Sequence, residues 1–299
     1  MISVVIPTYN QAHVLPRAVE SVWAQGVPDL EIIVVDDCST DETQSVLDSL
    51  SQKGELRHLR LEQNSGPAAA RNRGIRESRG EWVAFLDADD YWMPGKLCAQ
   101  LRVLEEGAQT PLDFAYCGVV AVDKEGKVAA IYPAPPVEDF MDDLLWGNQI
   151  ATPTMIVRRS LLEKTGLFDE ALLVGEDWDL WLRIAAQARG EAVTEPLVTA
   201  NYRANGYPLG KYESAVLRIL PRIQEALKSR KNPTPSRSQQ RQVLSWHFSV
   251  LAKSHFQERN ILKSLRYVLR CLAHSPHGLR YLLPMRASRP QLKGLKPHA

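Results

Sequence analysis

The chain has 299 residues, 44% of them hydrophobic and 24% charged, which fits one large folded domain or a domain with an appendage. This composition excludes a disordered chain, and no apolar run approaches the roughly 18 residues that a membrane span requires. The N-terminus lacks the basic segment of a secretory signal, and the 4 cysteines do not have the spacing of a zinc site or a disulfide framework. We therefore expect a cytoplasmic protein with reduced thiols.

The net charge of +1 hides a segregation of charge along the chain. Residues 1–209 carry 18 Lys and Arg against 32 Asp and Glu, a balance of −14, whereas residues 210–299 carry 18 against 3, a balance of +15. No acidic side chain follows Glu258. We expect the basic part to meet an anionic partner. The composition leaves open whether this is nucleic acid, a phosphorylated lipid, a membrane surface or the acidic part of the same chain.

The first ninety residues alternate between strand and helix patterns. Short apolar or alternating runs predict four strands, at 2–6, 30–35, 56–62 and 81–87. Between them, apolar helical spacing predicts one helix that stops at Gly26, one that begins with a capping box at Ser39 and Glu42, and one that opens at Pro67. This alternation is typical of an α/β fold with a mainly parallel sheet and helices on both faces.

Beyond residue 90 the pattern changes. It predicts a helix over 94–106, a hairpin of strands over 114–123 and 127–132, a strand over 154–159 and a helix over 175–190. From residue 210 onwards we expect three or four helices, with a break at 228–241 where Pro, Ser and charged residues cluster.

Polar residues follow each of the four predicted N-terminal strands. They are Pro7 to Asn10, Asp36 with Asp37, Asn64 to Pro67, and Asp87 to Asp90. Because ligands of parallel α/β sheets bind beyond the carboxyl ends of the strands, we expect a ligand site at this edge. Neither GxxxxGK[ST] nor a GxGxxG after the first strand is present, so the sequence does not predict a P-loop or a dinucleotide site.

Asp87-Ala88-Asp89 forms a D-x-D at the end of the fourth predicted strand. Carboxylate oxygens of this kind suit Mg²⁺ or Mn²⁺ shared with a diphosphate, because these ions keep positions open for phosphate oxygens. An isolated D-x-D is common on solvated turns. Its place after a buried strand, opposite Asp36 and Asp37, is what favours a metal site here.

Four longer segments contain these residues, in the order SVVIPTYNQ, EIIVVDDCSTDET, GPAAARNRGIRESRGEWVAFLDADD and GEDWDLWLRIA. In this order they resemble the motifs of the family 2 inverting glycosyltransferases of GT-A fold, over about residues 1–205. The resemblance implies a GT-A-type, Rossmann-like sheet and a nucleoside-diphosphate sugar donor. We expect a GT-A domain at 1–209, with a nucleotide-binding half at 1–90 and an acceptor-side half at 91–209, and a basic helical region at 210–299.

The resemblance also implies roles for the matching residues. For the donor nucleotide these are Pro7 and Tyr9 beside the base, Asp36 and Asp37 on base and ribose, Arg71 near base and phosphates, and Asp87 near the ribose. Asn64, Gly66 and Asn72 also match family positions, and Asn64 and Gly66 are expected on the donor side. Asp89 is implied to bind Mn²⁺ or Mg²⁺ between the phosphates. Asp177, the Asp of the family's E-D motif, is implied to be the general base.

Simple chemistry agrees with these roles, because direct displacement at an anomeric carbon needs one carboxylate as base and one cation on the departing diphosphate. Glu176 can contribute charge beside Asp177 or hold it in place. Trp178 can stack on an acceptor sugar. However, Trp178 and Trp181 lie three residues apart, and a Trp pair at this helical spacing is also typical of a core. The resemblance implies a His that assists the metal or diphosphate where this chain has Asn205, and Asn is a weaker metal ligand than His.

We expect transfer of one sugar, from a donor with UDP as the expected nucleotide, to a hydroxyl of a glycan or lipid-linked acceptor. The QxxRW element of processive synthases is missing, which favours one transfer per encounter. Two alternatives stay open: a scaffold that binds sugar nucleotides without activity, and a nucleotidyltransferase that makes a nucleotide sugar. A nucleic-acid-binding module is the weakest alternative, since the arginines of 71–79 spread around their helix. The sugar, the acceptor and the oligomeric state are left open.

The segment 259–299 combines basic side chains with an apolar stripe. The stripe falls at helical spacing, at Ile261, Leu262, Leu265, Val268, Leu269 and Leu272. From Arg259 to Lys296 there are nine basic and no acidic side chains. Such a helix can lie on an anionic membrane, here at the inner face, or pack its stripe against the rest of the chain. The sequence favours neither of the two.

Overall fold

The structure, a computed structural model, describes residues 1–106, 111–201, 209–229, 235–275 and 281. The chain divides into two compact units that interleave along the sequence. The first unit comprises 1–137, 150–180 and 187–205, and the second comprises 138–149, 181–186 and 206–299. The domain boundary expected between 209 and 210 stays a prediction.

The described residues form nine strands and ten α-helices. The strands are β1 (Ile2–Thr8), β2 (Leu30–Asp36), β3 (Arg57–Arg60), β4 (Trp82–Phe85), β5 (Tyr91–Trp92), β6 (Phe114–Val122), β7 (Val128–Tyr132), β8 (Ile156–Arg158) and β9 (Gly190–Asn201). The helices are α1 (Leu15–Trp23), α2 (Thr43–Lys53), α3 (Pro67–Glu77), α4 (Lys96–Glu106), α5 (Phe140–Trp146), α6 (Arg159–Thr165), α7 (Glu176–Ala185), α8 (Leu209–Ser229), α9 (Arg237–Gln257) and α10 (Ile261–His274).

The first unit is built on one sheet in the order β3-β2-β1-β4-β8-β6-β9-β5, with β7 paired to β6. Its first four strands are parallel, as the sequence predicts, and β3 lies at the edge. Thr8 at the end of β1 lies opposite Asp36 at the end of β2, and Val5 lies opposite Phe85 of β4. The carboxyl ends of these strands, with the polar residues that follow them, therefore meet at one edge.

Successive residues of a strand point to opposite faces of the sheet, so apolar strands such as β1 and β2 have side chains to bury on both faces. Helices pack on each face of this parallel part of the sheet. On one face Leu15 of α1 packs with Val4 of β1, and on the other Ala70 of α3 packs with Val35 of β2. At Gly74, α3 lies so close to β1 that a Cβ atom would fall 2.4 Å from Cγ1 of Val5. The predicted α/β fold class, a mainly parallel Rossmann-like sheet covered on both faces, is confirmed.

The capping box predicted at Ser39 and Glu42 is wrong. Helix α2 begins at Thr43, and Glu42 makes no side-chain cap. The Ser39 hydroxyl accepts a hydrogen bond from the backbone N–H of Asn10 at 2.9 Å. Ser39 therefore contacts the loop after β1 and does not cap α2. At the start of α2, Asp41 accepts hydrogen bonds from the backbone N–H and the hydroxyl of Thr43.

Strand β9 was not predicted, and the helix expected over 175–190 ends earlier, at Ala185. β9 lies inside the sheet, parallel to β6 and antiparallel to β5. Its local signal is weak, since it contains Pro196 and two glutamates, Glu191 and Glu195. Pairing with β6, over nine registered residue pairs, outweighs that local preference.

The second unit contains α5, the end of α7 and the helices α8, α9 and α10. A capping box of Ser236 and Gln239 begins α9. The Trp146 and Trp246 rings meet edge to face at 6.1 Å, and the Trp246 indole N–H donates to the Trp146 carbonyl at 3.3 Å. Within the described ranges, no helix combines the length and the hydrophobicity needed to cross a bilayer.

Candidate active site

Asn10 ties together the loops that follow β1 and β2. Its Oδ1 accepts hydrogen bonds from the backbone N–H groups of Thr40, at 2.8 Å, and Asp41, at 3.3 Å. Asn10 has a φ of 53°, an uncommon conformation that Asn tolerates better than most residues. The crosslink fixes the backbone next to Tyr9, a residue that is 44% exposed, whereas Pro7 is buried within β1.

Asp36 is fully buried at the end of β2. Its Oδ2 accepts from Nη1 of Arg60 at 2.7 Å, and its Oδ1 accepts from the Ser39 N–H at 2.9 Å. Arg60 also donates to the Ser39 carbonyl at 2.7 Å. Both carboxylate oxygens thus hold the loop beyond β2. Arg60 was not predicted as a site residue, since its only local signal is a place on the predicted third strand.

Asp37 joins the end of β2 to the start of α3. Its two carboxylate oxygens accept the backbone N–H groups of Ser65, at 2.7 Å, and Gly66, at 2.8 Å. Burial raises the pKa of Asp37, and the two N–H groups oppose that rise. Gly66 has a φ of 89°, which a residue with a side chain rarely adopts, and exposed Asn64 lies just before this turn. Asp37, Asn64 and Gly66 therefore lie at one corner of the site.

Arg71 of α3 is buried between two carboxylates from distant parts of the chain. It donates to Oδ1 of Asp87 at 2.6 Å and to Oε1 of Glu176 at 2.8 Å. Burial alone lowers the pKa of Arg71, but Asp87 and Glu176 outweigh it and raise the pKa above its ordinary value. The guanidinium is therefore a permanent positive charge. We call Arg71, Asp87, Glu176 and Asp177 the Arg71 cluster.

Asp177, on the first turn of α7, is the member of the Arg71 cluster with the most useful acid–base properties. Burial and the neighbouring Glu176 raise the pKa of Asp177 to about 7, against the opposing charge of Arg71. Its Oδ1 accepts the Trp178 N–H at 2.7 Å, and its Oδ2 accepts the Thr152 hydroxyl at 3.2 Å. A carboxylate with a pKa near neutrality, held by two donors, is suited to act as a general base.

Trp178 and Asn72 lie in supporting positions. The Trp178 residue is only 5% exposed, which favours the core position over stacking on an acceptor. Asn72 donates to the Phe168 carbonyl and accepts from the Phe168 N–H, both at 2.9 Å, and so fastens α3 to the segment before α7. Asn205 lies outside the described residues.

The D-x-D follows β4, with Asp87 and Asp89 both partly exposed. Asn201, at the end of β9, donates from its side chain to the Asp89 carbonyl at 2.8 Å, and its N–H donates to Oδ1 of Asp90 at 3.1 Å. The unpredicted strand β9 therefore holds the D-x-D turn in place. Among the described residues, no three His, Cys, Asp or Glu side chains are grouped to hold a metal. A cation at Asp87 and Asp89 would therefore depend on oxygens of a bound diphosphate.

Comparisons with known proteins agree with this geometry. The family model described as Glycosyl transferase family 2 matches residues 3–166. TuaG of Bacillus subtilis, named as a teichuronic acid biosynthesis glycosyltransferase, is 31% identical over 231 residues, which cover 75% of this chain and 89% of TuaG. Other curated relatives are longer. The chain spans between 30% and 62% of four uncharacterised glycosyltransferases from Rickettsia and Haemophilus influenzae.

Two solved structures share the fold. Staphylococcus aureus TarS 1–349 in complex with UDP-GlcNAc has a TM-score of 0.70 at 24% identity, covering 94% of this chain and 81% of that chain. The mannosyltransferase PcManGT from Pyrobaculum calidifontis, in complex with GDP-Man and Mn²⁺, has a TM-score of 0.53 at 20% identity, covering 91% and 86%. The GT-A-type architecture expected from the sequence is thereby confirmed.

Proposed function

We propose that this chain, which belongs to the family 2 glycosyltransferases, moves one sugar from a nucleoside-diphosphate sugar to a hydroxyl of a glycan or lipid-linked acceptor. The transfer is a direct displacement that inverts the anomeric carbon. The observation that carries this proposal is the Arg71 cluster, in which the pKa of Asp177 is raised to about 7 beside the carboxyl end of β4. One base at this edge suffices for a single displacement, and no enzymic nucleophile is required.

The donor nucleotide would lie along the loops that follow β1, β2 and β3. The exposed Tyr9, close to Pro7, offers a ring on which the base can stack. Asp36 and Asp37 hold the adjoining loops in position by hydrogen bonds to the N–H groups of Ser39 and Ser65. The turn at Asn64 and Gly66 would contact the donor at the start of α3. We expect a UDP-linked sugar, in keeping with the UDP-GlcNAc bound to the structurally similar TarS.

A divalent cation, Mn²⁺ or Mg²⁺, would be held by Asp89 with Asp87 beside it. Their partly exposed carboxylates at a strand end are hard oxygen donors that fit either ion. The Mn²⁺ bound to PcManGT, which shares the fold, supports a metal requirement. The ion would supply positive charge for the diphosphate that leaves.

Asp177 would accept the proton of the attacking hydroxyl. Thr152 and the Trp178 N–H hold its carboxylate, and Arg71 binds the neighbouring Glu176, which supports the site by its charge. Because Asp87 also binds Arg71, one buried cation connects the proposed base to the donor side. Asn205 stays a proposed support or acceptor contact, and Trp178, which is buried, a proposed support of Asp177.

The acceptor would be a glycan or a sugar on a lipid carrier. TuaG, to which the chain is similar, is named for teichuronic acid biosynthesis, which supports a role in polysaccharide assembly. We place the reaction in the cytoplasm. Peripheral contact of the segment 259–299 with an anionic membrane would serve a lipid-linked acceptor.

The proposal is tested by incubating the full chain with a panel of nucleotide sugars, Mn²⁺ or Mg²⁺ and candidate acceptors, and measuring release of the nucleoside diphosphate and the sugar product. Release of UDP with formation of an inverted glycoside is expected. Binding of donors without turnover would instead assign a scaffold, and formation of a nucleotide sugar from a sugar phosphate and a nucleoside triphosphate would assign a nucleotidyltransferase.

A further inference from the structure

The second unit exposes an apolar stripe along α10. Leu262, Leu265 and Leu269 are exposed to 83%, 54% and 68%. Their spacing of three and four residues places them on one face of the helix. Exposed leucines in such a row are an unusual surface for a monomeric protein and mark a contact with a membrane or another molecule.

The opposite face of α10 is firmly packed, so the stripe cannot turn inward without breaking contacts. The Ser264 hydroxyl donates to the Ala252 carbonyl of α9 at 2.9 Å, and the Ser245 hydroxyl of α9 donates to the Cys271 carbonyl at 3.0 Å. Ser264 and Cys271 are both buried. The helix is therefore anchored to α9 by one face and presents the other.

The charged side chains of α10 itself are all basic. Lys263, Arg266 and Arg270 lie on α10, and the helix contains no acidic side chain. Glu213 of α8, which lies close by, is engaged by the Tyr267 hydroxyl at 2.5 Å and by Lys263 at 3.0 Å. Lys263 is thus paired with Glu213, and the Arg270 guanidinium lies over the rings of Phe248 and Tyr267. The exposed face combines the row of leucines with a basic border in which Arg266 is exposed.

We propose that α10 docks on an anionic lipid bilayer, with Leu262, Leu265 and Leu269 at the acyl boundary and Arg266 among the phosphate groups. A row of leucines beside uniformly basic side chains is the pattern of helices that lie in a membrane interface. The positive border is complementary to anionic lipid headgroups, whereas an uncharged apolar partner would gain nothing from it. This membrane contact does not depend on glycosyl transfer. It can be measured without donor or acceptor, so its test is separate from the test of the proposed activity.

The test is co-sedimentation of the full chain with vesicles of phosphatidylcholine alone and of phosphatidylcholine with phosphatidylglycerol, at low and high salt. We expect binding to the anionic vesicles only, weakened by salt. Leu265→Gln and Leu269→Gln should each weaken binding by roughly tenfold or more, since each removes a large apolar side chain from the contact. Ile131→Gln is the matched control, because Ile131 of β7 is 59% exposed in the first unit. It should bind as the wild type.

Charge is tested separately with Arg266→Gln, which should weaken binding to anionic vesicles about fivefold. The control is Arg102→Gln, which removes another exposed arginine, from α4 of the first unit, and should have no effect. Circular dichroism should show all variants folded, as expected for exposed positions. Equal binding to neutral and anionic vesicles, or wild-type binding by both leucine variants, would overturn the proposal. A dimer in light scattering that the leucine variants convert to a monomer would also overturn it and assign the stripe to self-association.

Discussion

The Thr152 hydroxyl donates a 3.2 Å hydrogen bond to Oδ2 of Asp177 across 25 residues of sequence. The other carboxylate oxygen accepts the N–H of Trp178. Together these donors fix the carboxylate in one orientation and favour its ionised form, while burial and Glu176 favour the protonated form. The balance leaves the proposed base with a pKa near 7 and makes Thr152 a positioning residue for it.

The first prediction concerns the pH dependence of turnover. Asp177 must be ionised to accept a proton, so activity should rise as the pH increases through about 7 and level off above it. Thr152→Val removes a hydrogen bond that lowers the pKa of Asp177, so the rise should move to higher pH. Thr152→Ser keeps the hydroxyl and should restore the wild-type profile. Identical profiles for Thr152→Val and the wild type would show that the hydroxyl does not stabilise the carboxylate.

The second prediction concerns the stability of the Arg71 cluster. Arg71→Met removes the cation between Asp87 and Glu176 and leaves two carboxylates without their partner. Breaking a buried ion pair in this way should lower the free energy of unfolding by about 3–5 kcal/mol, measured by urea denaturation. Arg73→Met, two residues along α3, is the matched control. Its side chain is 50% exposed and forms a surface ion pair with Glu77, so its loss should change stability by less than about 1 kcal/mol.

The third prediction concerns the turn before α3. Asp37→Asn retains one acceptor oxygen where the carboxylate offers two, so the Ser65 or the Gly66 N–H loses its partner. We expect a loss of about 1–3 kcal/mol in stability and a raised KM for the donor with a smaller change in kcat. Asp48→Asn, at a side chain 59% exposed on α2, should leave both unchanged. An unchanged KM for Asp37→Asn would show that this turn does not contribute to donor binding.

The fourth prediction concerns the metal. Asp89→Ala, or an excess of chelator, should abolish transfer and weaken nucleotide binding measured by calorimetry, because the cation would join Asp89 to the diphosphate. Added Mn²⁺ or Mg²⁺ should restore the chelated wild type and fail to restore Asp89→Ala. Full activity in excess chelator would show that transfer requires no divalent cation.

The strand ends and the D-x-D could be predicted from the sequence because their signals are local. The runs predicted at 2–6, 30–35 and 81–87 end within two residues of the ends of β1, β2 and β4, which are Thr8, Asp36 and Phe85. Pro67 marks the start of α3, directly after the turn that Asp37 holds. A parallel sheet then brings the ends of its strands to one edge whatever the details of packing.

The internal connections of the site could not be predicted, because they join residues that only the fold brings together. Arg71 meets Glu176 across 105 residues, and Asn201 meets Asp89 across 112. No pattern in the sequence predicts Thr152 beside Asp177, because 25 residues separate them. Strand β9 could not be predicted for the same reason. Its local sequence pattern is weak, and its strand conformation depends on pairing with β6.

The role of Asp177 as the general base is decided by comparing Asp177→Asn with the wild type in turnover and in donor affinity. The substitution keeps the shape of the side chain and removes its capacity to accept a proton. Turnover should fall by a factor on the order of 10²–10⁴, while the calorimetric affinity for the nucleotide sugar stays near that of the wild type. Asp48→Asn should change neither quantity. A loss of donor affinity in proportion to activity would make Asp177 a binding residue and contradict its role as the base.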